Sequence, residues 1–250
     1  MGETYRITPI LCGTLRDVEH SNVTLKRHEG QKISIPSILW LISGGGENVI
    51  IDSGPGDPAI VRSRLGKNFD REEAPGRLLS GTGVDPGEIT IVVVSHLHWD
   101  HSGDLELFPK ADIYVQRREL EWAVAPAPIQ RDLYELHRTA VKPPRWVESL
   151  TRIKVINGDH QLMPGLRLLL LPGHTPGIMG AAVDTTAGRY VITSDAVPTF
   201  ENWRDGIPPG WYVDLRDCYE TFGRIREFTD DLVLPAHDFK SLEQPSYPAS

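Results

Sequence analysis

The chain has 250 residues, with 34 acidic side chains against 26 basic ones and a formal net charge of -8. Its pI lies near 5.6. That balance disfavours a nucleic-acid partner, which would require clustered Lys and Arg to meet phosphates. No apolar run approaches the ~18–20 residues needed to span a bilayer. The opening MGETYRITPI lacks the basic and apolar regions of a secretion signal. The expectation is therefore a cytoplasmic protein with no membrane partner. Cys12 and Cys218, far apart in sequence, read as two free buried thiols rather than a disulfide.

In chain order, short apolar, β-branched runs recur at 37–42, 48–52, 89–95, 112–116, 152–156, 166–171, 189–193 and 231–235. Each has strand length and is bounded by Gly, Pro, Asn or Asp. The SGGGEN stretch between the first two reads as a hairpin turn, because glycine accepts positive φ without steric cost. Helices are expected at 58–65, 102–108, 117–123, 133–141 and 214–228. The last carries Leu215, Tyr219, Phe222 and Ile225 on one predicted face. Strands apolar on both faces require cover on both sides, so the fold class is α/β (α+β), with helices flanking packed sheets. Residues 126–144 are proline-rich and weakly periodic, and read as an insertion or lid within one domain spanning 1–250.

The most concentrated chemistry lies in VVVSHLHWDHSGD, where His96, His98, Asp100 and His101 follow an apolar strand. Imidazole nitrogens and carboxylate oxygens are the usual ligands of zinc and similar divalent ions. Three more such residues each close an apolar run: His174 in LRLLLLPGHTPG, Asp195 in RYVITSDA and His237 in DLVLPAHD. Polar tips on loops after rigid strands are where α/β folds assemble sites. His20, His28, His137 and His160 fall outside this pattern and read as ordinary surface or hydrogen-bonded histidines.

The ordered set HxHxDH, His, Asp, His resembles the metallo-β-lactamase-fold hydrolases. That resemblance implies an αββα sandwich of two packed mixed sheets flanked by helices. It also implies a dinuclear site. His96, His98 and His174 would hold one ion, and Asp100, His101 and His237 the other, with Asp195 bridging. VIIDSG places Asp52 where it would buttress the histidines. Zinc is the expected metal, with iron, manganese and cobalt as alternatives.

Within that superfamily, IYVQRRELEWA, INGDHQLMPGLRLLLLPGHTPG and the terminal PAHD resemble the N-acyl-homoserine-lactone lactonases and pyridoxolactonases. The implied reaction is opening of a lactone ring by a metal-bridging hydroxide, with Asp100 carrying the proton to the leaving alkoxide. Another ester, thioester or cyclic amide is the alternative substrate, and a mononuclear iron dioxygenase a lower one. No GxSxG elbow competes for the role of nucleophile. One departure stands out. Where these lactonases usually carry a tyrosine, three residues after the bridging Asp, this chain has Pro198, which has no side-chain donor. Either another donor takes its place, with Tyr212 and Tyr190 as the candidates, or the substrate differs. Trp99, Phe200, Trp203, Trp211 and Tyr212 are expected to wall an apolar pocket. The partner is a small molecule with an acyl or lactone carbonyl, and the assembly stays open between monomer and homodimer.

Overall fold

The structure, a computed structural model, describes residues 3–136 and 142–249. Its first sheet holds β1 (Arg6–Glu19), β2 (Lys32–Gly44), β3 (Glu47–Ile51), β4 (Phe69–Asp70), β5 (Ile91–Val93), β6 (Asp112–Gln116) and β7 (Ile153–Ile156). They lie in the order β4-β1-β2-β3-β5-β6-β7. The second holds β8 (His160–Met163), β9 (Leu166–Leu170), β10 (Met179–Thr185), β11 (Gly188–Ser194) and β12 (Val233–Pro235), ordered β12-β11-β10-β9-β8. Both are mixed: β3, β5, β6 and β7 run parallel, as do β11 and β12, and the other pairs are antiparallel.

The period-two alternation of β2 explains the layering. Ile38, Trp40 and Ile42 point toward the second sheet and pack with Leu166, Leu168, Met179 and Ile192. Leu39 and Leu41 point the other way and pack with Leu79, Ala123 and Trp146. Side chains on a strand alternate between faces, so a run apolar at every position serves two cores at once. Leu79 belongs to α3 (Pro75–Gly81) and Ala123 to α4 (Arg117–Val124). On the outer face of the second sheet, Leu169, Ala182, Val191 and Val233 meet Trp203, Phe222 and Ile225. Those last three come from α5 (Phe200–Asp205) and α6 (Leu215–Arg226). The result is helix, sheet, sheet, helix.

The β2–β3 connection is the expected hairpin, with Gly45 at φ 61° and Gly46 at φ 82°. Two successive positive φ values make the tight turn whose twist matches the flanking strands. Both cysteines are free and buried. Other expectations need correction. Segment 102–108 forms only a 3-10 turn at Leu105–Leu107. Residues 131–135 form turns, and residues 137–141 of the expected 133–141 helix, with His137, lie outside the described residues. On α6 the buried stripe is Cys218, Thr221, Phe222 and Ile225, while Leu215 and Tyr219 face water. Cys218 and Thr221 instead face the loop carrying His174: Thr221 Oγ1 donates to the Pro172 carbonyl at 2.7 Å, and Cys218 packs against Gly173.

Candidate metal centre

Every predicted ligand sits just beyond the carboxyl end of a strand. His96, His98, Asp100 and His101 follow β5, His174 follows β9, Asp195 follows β11 and His237 follows β12. The two sheets bring these ends to one edge, and all seven residues converge there. His98 Nδ1 lies 3.0 Å from His96 Nε2 and 3.1 Å from His174 Nε2. Asp195 reaches both halves of the cluster. Its Oδ1 is 3.2 Å from His101 Nε2 and 3.0 Å from His237 Nε2, while Oδ2 is 3.5 Å from His174 Nε2 and 4.0 Å from His96 Nε2. Asp100 Oδ2 stands 3.9 Å from His101 Nε2 and 3.8 Å from His237 Nε2.

The outward ring nitrogens explain why the inner ones are available. His101 Nδ1 donates to Asp52 Oδ2 at 2.8 Å, His174 Nδ1 to the Trp211 carbonyl at 2.7 Å and His237 Nδ1 to the Pro36 carbonyl at 2.7 Å. An imidazole whose Nδ1 carries the proton presents a bare Nε2 lone pair, the form that binds metal. Asp52 is itself fixed, accepting from the Ser95 N–H at 2.7 Å and the Ser95 hydroxyl at 2.9 Å.

The charges divide the cluster. Burial, reinforced by neighbouring imidazoles, holds His96 and His98 well below the ordinary histidine pKa, and burial lowers His174. Burial also pulls His101 and His237 down, but the carboxylates outweigh it, Asp195 foremost, and both are raised. Burial would raise Asp195, yet His237 and His101 hold it well below the usual carboxylate range.

Several observations fit this donor set to divalent ions. Ligands about 2.0–2.1 Å from a tetrahedral ion lie roughly 3.3 Å from one another, close to the spacings here. His101 Nε2 and Asp195 Oδ1 are buried without a hydrogen-bond partner of good geometry. A buried polar atom without a partner is costly unless something else satisfies it. Two groups of donors with an ion's spacing are His96, His98, His174 and Asp100, His101, His237, and Asp195 groups with His96 and His101.

A cavity of about 230 Å³ opens over the cluster, reaching His98, Asp100, His174 and Asp195. Of the five aromatics expected around it, Trp99 and Trp211 line it. Trp203 instead stacks on Phe222 at 5.9 Å, with Phe200 packed against the same core. The short α5 helix turns these two rings onto the second sheet. Tyr212 lies on the surface. Neither expected replacement for the missing tyrosine is on the cavity: Tyr190 packs beside Tyr247, with centroids 5.6 Å apart. Pro198 is buried, and its carbonyl accepts the His237 N–H at 3.0 Å.

The sequence reading missed two contributors. One is β1, whose end supplies Leu15, Asp17, Val18 and Glu19 to the cavity wall. Its polar, glycine-containing run shows no clean alternation, and the strand breaks register at Leu11/Gly13 and Leu15/Val18. The other is Glu119 on α4, fully buried. It accepts from the Leu97 N–H at 3.0 Å, the Tyr134 hydroxyl at 2.8 Å and the Thr175 hydroxyl at 2.6 Å. It thereby ties the loop of His96 and His98 to the loop of His174. A glutamate among the charges of RRELE carries no signal of burial.

Residues 37–237 match the metallo-beta-lactamase superfamily. The chain is 28% identical over 202 residues to an N-acyl homoserine lactonase of Bacillus thuringiensis, covering 76% of each. It is 27% identical over 253 residues to the N-acyl homoserine lactonase AttM of Rhizobium radiobacter, covering 93% of each. In three dimensions it resembles the crystal structure of a quorum-quenching N-acyl homoserine lactone lactonase, with a TM-score of 0.77 and 24% identity over 97% of this chain and 96% of that one. It also resembles the dizinc quorum-quenching lactonase AidC, with a TM-score of 0.70 and 14% identity over 93% and 87%.

Proposed function

Because the chain belongs to the metallo-β-lactamase superfamily, we propose that it is a metal-dependent hydrolase that opens the ring of N-acyl homoserine lactones or a close analogue. The observation that carries this reading is Asp195, whose two oxygens are divided between His101 with His237 and His96 with His174, beneath a cavity sized for a small molecule. The lactonase relatives support the choice of substrate class.

In this reading His96, His98 and His174 would hold one divalent ion and Asp100, His101 and His237 a second, with Asp195 in reach of both groups. Zinc suits the nitrogen-rich donor set. When bound, such a pair supplies a deprotonated water near neutral pH and polarises an acyl carbonyl.

The chain's own residues do the rest. Asp52, Trp211 and Pro36 fix the histidine tautomers. Asp100 lines the cavity and can carry a proton from the attacking water to the leaving ring oxygen. Trp99 and Trp211 exclude water from the acyl side. With Pro198 turned inward, recognition of the amide falls to polar groups on the cavity rim, among them Asn22, Lys67 and Asn68.

The test is proton release by zinc-loaded protein on N-butanoyl and N-hexanoyl homoserine lactones, beside a chelator-treated control. Chelator-sensitive acidification is expected. Silence on every lactone with metal bound would overturn the substrate class and direct the search to thioesters and cyclic amides.

A further inference from the structure

Two histidines without an expected role come together away from the cavity. His20 begins α1 (His20–Val23), His28 lies in the turn before β2, and Glu201 lies in the first turn of α5. The imidazoles stack with centroids 4.1 Å apart and planes at 19°. Both Nε2 atoms face one carboxylate: His28 stands 2.8 Å from Glu201 Oε1, and His20 3.5 Å from Oε2. One donor atom from each residue falls within 4.8 Å of the other two. Thr24 Oγ1 also donates to Glu201 Oε2 at 3.3 Å, which orients the carboxylate. Glu19 stands alongside, accepting from Ser21 Oγ and the Gly30 N–H.

The spacing suits a small cation. Tetrahedral ligands at about 2.0–2.1 Å are roughly 3.3 Å apart, so the 3.5 Å pair already fits and the 2.8 Å pair opens by about half an ångström. The side chains are partly buried, at 18% exposed for His20, 24% for Glu201 and 37% for His28, leaving room for water to complete the shell. Burial, then the neighbouring His28, lowers the pKa of His20, which favours the neutral imidazole that binds metal. His28 adopts φ 51°, a left-handed backbone that few non-glycine residues occupy.

We propose that His20, His28 and Glu201 form a separate surface site for a borderline transition-metal ion such as Zn²⁺ or Ni²⁺, completed by water. Its ion clamps the segment after β1 onto α5. That segment forms part of the cavity wall: the Asn22 carbonyl accepts from the Trp211 N–H at 2.9 Å, and the Trp211 carbonyl accepts from His174 Nδ1. An ion on the surface thus braces a strand of contacts that ends at the metal centre. The site stands independently of the reaction proposed above.

The test is calorimetric titration with Zn²⁺, and separately Ni²⁺, of wild-type protein whose resident metal has first been counted by emission spectroscopy. His28→Gln and Glu201→Gln are titrated beside it. Wild type should bind one further equivalent that each variant lacks, with resident metal unchanged in both. Counting by difference keeps this outcome separate from how many ions the central cluster holds. As a second probe, Cu²⁺ in the further site of wild type should show electron-resonance coupling to two imidazole nitrogens, a signal that His28→Gln should lack. Equal uptake by all three proteins, or no further equivalent in wild type, overturns the proposal and leaves a hydrogen-bonded surface cluster.

Discussion

Asp52 and His101 meet at 2.8 Å through Oδ2 and Nδ1, and Asp52 holds that position at φ 63° at the end of β3. A non-glycine residue in the left-handed region costs on the order of 1–3 kcal/mol and persists only when its surroundings demand it. Here the demand is visible, since the turn aims one carboxylate at both Ser95 and His101. Asp52→Asn keeps the size but offers an N–H where His101 needs an acceptor, which favours the wrong tautomer. Metal affinity should fall about 10–100-fold. Zinc competition with a chromophoric chelator measures it, and unchanged affinity would show that His101 needs no acceptor from residue 52.

Stripping the metal should destabilise the fold as well as silence it. Burial leaves close-packed imidazoles and carboxylates whose lone pairs converge on the same points. A ligand present at 100 times its Kd stabilises by about 2.7 kcal/mol. For a chain of this size that corresponds to a melting temperature roughly 5–11 °C lower after exhaustive chelation. Scanning calorimetry with and without zinc decides this, and superimposable melts would deny a bound ion.

Glu119 should behave as a positioning residue rather than a ligand. Glu119→Ala strands the Leu97 N–H and the hydroxyls of Tyr134 and Thr175. The cost should be about 3 kcal/mol, a melting point lowered by roughly 6–12 °C. Metal content should also fall, because the loops of His98 and His174 lose their common anchor. Glu119→Gln, which keeps an acceptor oxygen, should recover part of both. Equal melts and metal content for wild type and Glu119→Ala would leave Glu119 without that role.

The cavity volume predicts chain-length preference. About 230 Å³ lies below the ~300–1,000 Å³ of drug-sized pockets. Short-chain N-acyl homoserine lactones should therefore exceed N-dodecanoyl homoserine lactone in kcat/KM by at least about tenfold, 1.4 kcal/mol. Trp211→Ala should narrow that gap, since it removes an indole from the wall while keeping the carbonyl that orients His174. A gap unchanged in the variant would place the acyl chain elsewhere.

Much of the architecture was legible in the chain because burial on two faces writes itself as uninterrupted apolar runs. Strands β2, β3, β5, β6, β7, β9, β11 and β12 fall on such runs, although β2 begins at Lys32, ahead of its expected start at residue 37, and β5 keeps only Ile91–Val93 of 89–95. Strand β1 did not, because two register shifts and a glycine erase its alternation. Strand β10 did not, because MGAAVDT packs small residues that resemble a loop.

Sequence by itself determined which side chains could bind metal, since ligand chemistry resides in residue type and each candidate marked the end of a strand. Only the tertiary structure decided their division around Asp195, because that depends on where loops 21 to 141 residues apart from one another arrive at a shared edge. It also decided which aromatics meet the cavity. Trp203 and Trp211 are equally apolar, but the turn of α5 sends the first into the core and leaves the second on the wall. The pairing of His20 with His28 belongs to the same class of fact. Adjacency of rings is a property of the folded backbone, and no residue type announces it.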